Sequence, residues 1–183
     1  MKAVHRKPPV RKIVATPLYG VPGAISRLEA AIVTALSRAG RTLSVAESCT
    51  GGLIGHRLTS VPGASVVFMG GVMCYSNESK VRDLGVAKSL IERHGAVSKW
   101  VAQRMAEGVK SRFCTDLGLA VTGIAGPDGG TKGKPVGTVH IALAYAGGTR
   151  SRQCRFKGDR DQIKWQSSEA ALELLTTYLT KTR

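Results

Sequence analysis

Thr42-Leu43-Ser44-Val45-Ala46-Glu47-Ser48-Cys49-Thr50-Gly51-Gly52-Leu53-Ile54-Gly55-His56-Arg57-Leu58 changes pattern twice. Thr42 to Ala46 is β-branched and apolar and reads as a short strand. Glu47 to Gly52 is polar and ends in two glycines, which reads as a tight turn. Leu53 to Leu58 starts a helix. A strand thus feeds a glycine turn, and the turn feeds a helix. Upstream, Ile25, Leu28, Ile32, Ala35 and Leu36 recur at three- and four-residue steps, a helix with one buried face that ends near Gly40. Downstream, Ser65 to Tyr75 reads as strand structure interrupted at Gly70-Gly71. Asn77 to Leu84 and Lys88 to His94 read as short polar helices. Ser98 is placed to cap a longer helix carrying Trp100, Val101, Met105 and Val109.

Leu117 to Thr122 is an apolar strand, and residues 123–135 form a Gly/Pro-rich loop. Val136 to Ala146 is a strand whose hairpin partner is Arg150 to Phe156, across Gly147-Gly148. Asp159 is placed to cap a last helix with Ile163, Ala170, Leu174 and Leu175 on its apolar face. Helices alternate with strands and then a hairpin appears. That order predicts an α/β fold: a single three-layer α/β/α domain with a mixed β-sheet. Val21-Pro22-Gly23 marks the domain edge, with the domain over 22–183 and a basic N-terminal extension over 1–21.

The chain has 183 residues, enough for one domain that folds without staples. Its 27 basic and 12 acidic residues give a net charge of +15. The first twenty residues hold five cations and no acid, and the remainder is still basic. Such a charge favours anionic partners of any class. Aromatic residues are only 5%, few for a base-stacking platform. The longest apolar run, Ile141 to Ala146, is far short of the roughly 20 residues a membrane-spanning helix needs. Cys49, Cys74, Cys114 and Cys154 are scattered, without a CxxC or a Cys/His cluster. That argues against a structural zinc site and fits a reduced, cytoplasmic setting. The extension has no apolar core of a secretory signal.

Three segments can carry chemistry. In Ala46 to Gly52, a hydroxyl at a strand-to-helix junction is positioned to attack a carbonyl, with backbone amides nearby to hold the oxyanion. The same residues also suit a plain turn with polar caps. The spacing is neither a P-loop nor a GxSxG elbow. In Tyr75-Ser76-Asn77-Glu78-Ser79-Lys80, a lysine becomes a general base only when neutral. At its reference value of about 10.4, roughly one in 2,500 is neutral at pH 7. Lowering that value to near 7.4 costs about 4 kcal/mol, which burial or nearby cations can supply. The alternative is a solvated helix start. In Thr122-Gly123-Ile124-Ala125-Gly126-Pro127-Asp128-Gly129-Gly130, glycines can wrap a ligand, or merely connect two strands. Cys49 is a second candidate nucleophile, but no histidine is near it in sequence and a buried structural role suits it better. His56, His94 and His140 are scattered. Arg160 and Lys164, one helical turn apart, can contact a phosphate.

These segments, with Gly95-Ala96-Val97-Ser98, Lys134-Pro135-Val136-Gly137-Thr138-Val139 and Gly158-Asp159-Arg160, resemble the CinA C-terminal family over about residues 24–180. That resemblance implies a nicotinamide-nucleotide amidase, which converts nicotinamide mononucleotide and water to nicotinic acid mononucleotide and ammonia. It implies a serine–lysine site in which Ser48 is the nucleophile, Lys80 the base and Tyr75 an accompanying tyrosine. Proton transfer from Ser48 to Lys80 is then direct or through Tyr75. Oxyanion donors come from the Gly51-Gly52 turn or from the Gly123–Gly126 loop. Substrate contacts are expected from Thr50, Gly51, Gly52, Asn77, Thr122, Gly123, Gly126 and Arg160, with Arg160 at the phosphate. No cofactor and no metal are implied, and self-association into a homo-oligomer is. The larger N-terminal domain that often accompanies this domain is not matched, so its nucleotide-pyrophosphatase activity is not carried over. Competing readings are a non-catalytic pyridine-nucleotide-binding module, an amidase for another small amide, and a nucleic-acid-binding protein. The last is disfavoured by the few aromatics and the lack of a recognised binding motif.

Overall fold

The computed structural model describes residues 27–181. The basic extension and Ile25 lie outside the described residues. The elements run α1 (Arg27–Ala39), β1 (Leu43–Glu47), α2 (Leu53–Thr59), β2 (Phe68–Met73), α3 (Asn77–Leu84), α4 (Lys88–His94), α5 (Lys99–Arg112), β3 (Leu117–Gly123), β4 (Thr138–Tyr145), β5 (Gly148–Arg155) and α6 (Arg160–Lys181). The five strands lie in the order β2-β1-β3-β4-β5. β1 is parallel to both β2 and β3, whereas β3–β4 and β4–β5 are antiparallel. The sheet is therefore mixed, and helices cover both faces.

Side-chain size decides which layer approaches most closely. One face of β1, β3 and β4 carries Leu43, Val45, Leu117, Leu119, Val121, Val139, Ile141 and Leu143, packed with α1, α2 and α6. The other face carries Ala46, Ala120, Ala142 and Ala144 beneath Val101, Ala102, Met105, Ala106 and Val109 of α5. Gly118 shares that small face, and a Cβ there would fall 2.2 Å from the Ala106 carbonyl oxygen. Only a residue without a side chain permits so close an approach.

Both expected helix caps are present. Ser98 Oγ accepts the Val101 N–H at 3.3 Å, and Asp159 Oδ1 accepts the Gln162 N–H at 2.8 Å. The hairpin forms, but its turn is Ala146-Gly147: Gly148 already pairs with Tyr145 and opens β5, two residues before the expected Arg150. The long strand expected over Ser65–Tyr75 does not form. Ala64–Val66 is a short 3₁₀ turn, and β2 begins only at Phe68. The register of β2 slips between Leu43 and Ser44 of β1, so Met69 is an inserted residue.

The helices of the large face are joined by one buried cation. Arg57 of α2 is 5% exposed. It pairs with Glu29 of α1 and Glu169 of α6, and it donates to Ser168 Oγ at 2.8 Å. Its guanidinium lies 4.4 Å from the centre of the Trp165 ring. Removing one member of a buried pair strands the other, at about 3–5 kcal/mol. Arg57→Ala is therefore expected to lower the unfolding free energy by about 3 kcal/mol or more, read from urea denaturation. A loss under about 1 kcal/mol would show that the three helices hold without it.

Candidate active site

Chain direction concentrates the site at one sheet end. From β1 the chain passes through α2 to β2 on one side, while β3 arrives on the other side from α5 on the opposite face. Ligands of open α/β sheets sit outside the carboxyl ends of the strands at such a switch point. Ser48 follows β1 directly and is 8% exposed. Its N–H donates to the Val121 carbonyl of β3 at 3.0 Å, which ties the turn to the neighbouring strand. Gly51 and Gly52 then turn the chain with φ of 64° and 97°, a region that favours glycine.

The amides of that turn are divided. Gly51 N–H donates to the Ser48 carbonyl at 3.2 Å. Gly52 N–H donates to Glu47 Oε2 at 3.0 Å. The Gly51–Gly52 amides are thus engaged within the protein and are not the oxyanion donors the sequence suggests. The Cys49 and Thr50 N–H groups have no hydrogen-bond acceptor from another residue among the described residues. They are the turn amides next to the hydroxyl that are left to receive a ligand oxygen.

Lys80 comes to Ser48 from α3. Ser76 caps this helix, its Oγ accepting the Ser79 N–H at 3.1 Å. One turn in, Lys80 points inward and is 2% exposed. Its Nζ lies 3.1 Å from Ser48 Oγ and 2.8 Å from the Cys74 carbonyl oxygen. The Tyr75 and Ser76 carbonyls are at 3.3 and 3.4 Å. Burial lowers the pKa of this amine below the ordinary lysine value, against a weaker opposing pull from Cys74 and Cys49. A neutral amine has two N–H groups and one lone pair. With the N–H groups on carbonyls, the lone pair is left for the Ser48 hydroxyl proton. After accepting that proton, the ammonium meets three carbonyl oxygens that stabilise it.

Tyr75 does not reach Ser48 by hydrogen bond. Its side chain is exposed, and its hydroxyl accepts from Arg160 Nη2 at 2.8 Å. Arg160 also donates to the Gly126 carbonyl through Nη1 at 2.6 Å. Of the Tyr75 and Lys80 side chains, only Lys80 is within hydrogen-bond distance of Ser48 Oγ. Arg160 joins the start of α6 to the Gly126 loop and to Tyr75. Ser48, Tyr75, Lys80, Asn77, Thr122, Gly123 and Arg160 all line one pocket of about 170 Å³. Thr50, Gly51, Gly52 and Gly126 do not line it. Thr50 is buried with no partner on its hydroxyl, and Gly126 acts through its carbonyl.

Cys49 lines the pocket as well, but burial pushes its thiol up to about 12. Cys74 is pushed up to about 11 by the same cause. Neither supplies a thiolate near neutral pH. His140 is buried outside the lining, its imidazole held below the ordinary value by burial and by Lys134. Two lining residues were assigned no role from sequence: Ala96 and Val97. They sit in the Gly95–Ser98 segment and are pinned by Thr122 Oγ1, which donates to the Ala96 carbonyl at 3.0 Å. Glu47 was also missed. Its acidic side chain just before a glycine turn was the available signal.

Among the described residues, no group of three or more His, Cys, Asp or Glu side chains is placed to hold a metal. No described helix is long and apolar enough to cross a membrane.

The family described as the CinA C-terminal domain matches residues 25–179. A CinA-like protein of Gemmatimonas aurantiaca is 52% identical over 134 residues, which cover 73% of this chain and 31% of that protein. A CinA-like protein of Dictyoglomus thermophilum is 47% identical over 166 residues, covering 91% of this chain and 40% of that protein. The chain thus spans about a third to two fifths of the length of these relatives. Among solved structures, the competence/damage inducible protein CihA of Agrobacterium tumefaciens superposes with a TM-score of 0.83 at 39% identity, covering 89% of this chain and 99% of that one. A CinA superfamily protein of Klebsiella pneumoniae gives a TM-score of 0.81 at 32% identity, covering 84% and 96%.

Two reagents test the site's electrostatics. The rate at which a small fluorophosphonate modifies Ser48 is expected to rise with pH as Lys80 loses its proton. Because burial lowers that pKa, the midpoint falls below the 10.5 of an ordinary lysine. Lys80→Ala removes this limb and slows modification about 100-fold or more. A wild-type midpoint at or above 10.5 contradicts the assignment. Iodoacetamide at neutral pH is expected to spare Cys49, as read by peptide mass.

Proposed function

The chain belongs to the CinA C-terminal domain family, and from that premise and the Ser48–Lys80 geometry we propose that it is a serine–lysine amidase acting on nicotinamide mononucleotide. The observation that carries this reading is the buried Lys80 Nζ at 3.1 Å from Ser48 Oγ. The basic charge of the chain supports a phosphate-bearing substrate.

The reaction runs in two halves. Ser48 Oγ attacks the carboxamide carbon while Lys80 Nζ takes the hydroxyl proton. The resulting oxyanion accepts a hydrogen bond from the N–H of Cys49, which lines the pocket beside Ser48; one such donor is typically worth 10²–10³ in rate. Lys80 then returns its proton to the departing nitrogen, the C–N bond breaks, and ammonia leaves. An ester on Ser48 remains. Water enters the vacated place, Lys80 accepts one of its protons, and the new oxyanion forms on the same amide. Collapse breaks the ester bond, and the proton on Lys80 goes back to Ser48 Oγ. The products are nicotinic acid mononucleotide and ammonia, with the enzyme restored. Splitting amide hydrolysis this way replaces one difficult step with two easier ones.

Arg160 sets the far wall. Two of its five N–H groups are engaged by Gly126 and Tyr75, which leaves others for a substrate phosphate at the rim. Incubation with nicotinamide mononucleotide is expected to release ammonia and the acid in equal amounts. Ser48→Ala is expected to lower kcat about 10³-fold or more. Absence of ammonia from the wild type, with Ser48 still reactive to fluorophosphonate, would move the activity to another amide.

A further inference from the structure

Glu47 adjoins the proposed nucleophile without lining the pocket. It is the last residue of β1 and is 2% exposed. Strand alternation turns its side chain to the face of Leu43 and Val45, beneath α2. There Oε2 accepts the N–H groups of Gly52 at 3.0 Å and Ile54 at 3.1 Å. Oε1 accepts the Gly55 N–H at 2.8 Å. No Lys, Arg or His among the described residues forms an ion pair with it. A buried carboxylate without a counter-cation is costly, and here three amides offset the cost.

The three bonds do more than satisfy the carboxylate. They close a ring from the residue before Ser48 to the residues after the Gly51-Gly52 turn. Ser48 N–H, held on Val121, fixes the opposite side of that ring. The Glu47 main chain reaches the other catalytic arm. Its carbonyl accepts the Cys74 N–H at 2.9 Å, and the Cys74 carbonyl takes Lys80 Nζ at 2.8 Å. One residue therefore anchors the serine turn by its side chain and the lysine's acceptor by its backbone.

We propose that Glu47 is a positioning residue: its carboxylate holds the 48–52 turn so that Ser48 Oγ stays within reach of Lys80 and the Cys49 amide faces the carbonyl under attack. This rests on the reading of Ser48 as nucleophile. Glutamine has the same size but only one acceptor oxygen. In either orientation it loses at least one of the three bonds and sets an N–H group against a backbone N–H. The turn then shifts without leaving a cavity.

The test compares wild type, Glu47→Gln and Glu47→Ala by four readouts. These are kcat and KM with nicotinamide mononucleotide, the Kd for nicotinic acid mononucleotide by calorimetry, the rate of Ser48 modification by fluorophosphonate, and the pH midpoint of that rate. Glu47→Gln is expected to lower kcat and the modification rate at least tenfold. KM and Kd should stay within about twofold, and the pH midpoint should stay put, because the lysine is untouched. An unchanged modification rate in folded Glu47→Gln overturns the proposal. So does a loss confined to KM and Kd, which would give Glu47 a role in pocket shape. Failure of both variants to fold, by circular dichroism, also overturns it and makes Glu47 a folding residue. Fluorophosphonate reports on Ser48 whatever the substrate. A wild type that is modified at Ser48 but inert to nicotinamide mononucleotide would overturn the substrate assignment alone.

Discussion

A lysine amine buried against a serine hydroxyl is the constraint on which the site depends. Burial removes water from Lys80 and disfavours its charged form, which is what a base for serine requires. The same burial demands partners for its N–H groups, and the carbonyls of Cys74, Tyr75 and Ser76 provide them. Those carbonyls all belong to the segment between β2 and α3. The turn that ends β2 therefore both delivers Lys80 and orients it. No histidine lines the pocket, and the polar group nearest Ser48 Oγ within it is the Lys80 amine.

The sheet explains why this pair meets. β1 leads to α2 on one face, and the α3–α5 layer lies on the other. Ser48 leaves β1 at the point where the two layers diverge, which opens a crevice there. The small face of Ala46, Gly118, Ala120 and Ala142 draws α5 close, while the large face keeps α1, α2 and α6 on a thick apolar layer. Arg57 locks that thick layer together. The site thus sits between a tightly packed half and a clamped half, and its turn is held on both sides.

Much of this was legible in the sequence because the signals are local. The strand–turn–helix around Ser48, the caps at Ser98 and Asp159, and the β4–β5 hairpin each rest on neighbours a few residues apart. The layer order followed from their succession. Other features depend on contacts through space. Gly51 and Gly52 announce a turn, but the Gly51 amide is taken by the Ser48 carbonyl and the Gly52 amide by Glu47, a pairing that the glycines themselves do not signal. Arg160 reads as a free cation, yet its guanidinium is engaged by the Gly126 carbonyl and by Tyr75, 85 residues away. The sequence likewise gives no sign that the Tyr75 hydroxyl is held by Arg160. The inserted residue at Met69 arises from register against β1, which β2's own sequence marks only by two glycines.

The most direct test of covalent serine catalysis is to stop the reaction with acid during turnover and locate the acyl group by peptide fragmentation. The account predicts nicotinic acid mononucleotide, less one water, on Ser48 in the wild type. An acyl group on Cys49, or product formed with no acyl-enzyme at any time or pH, would contradict it.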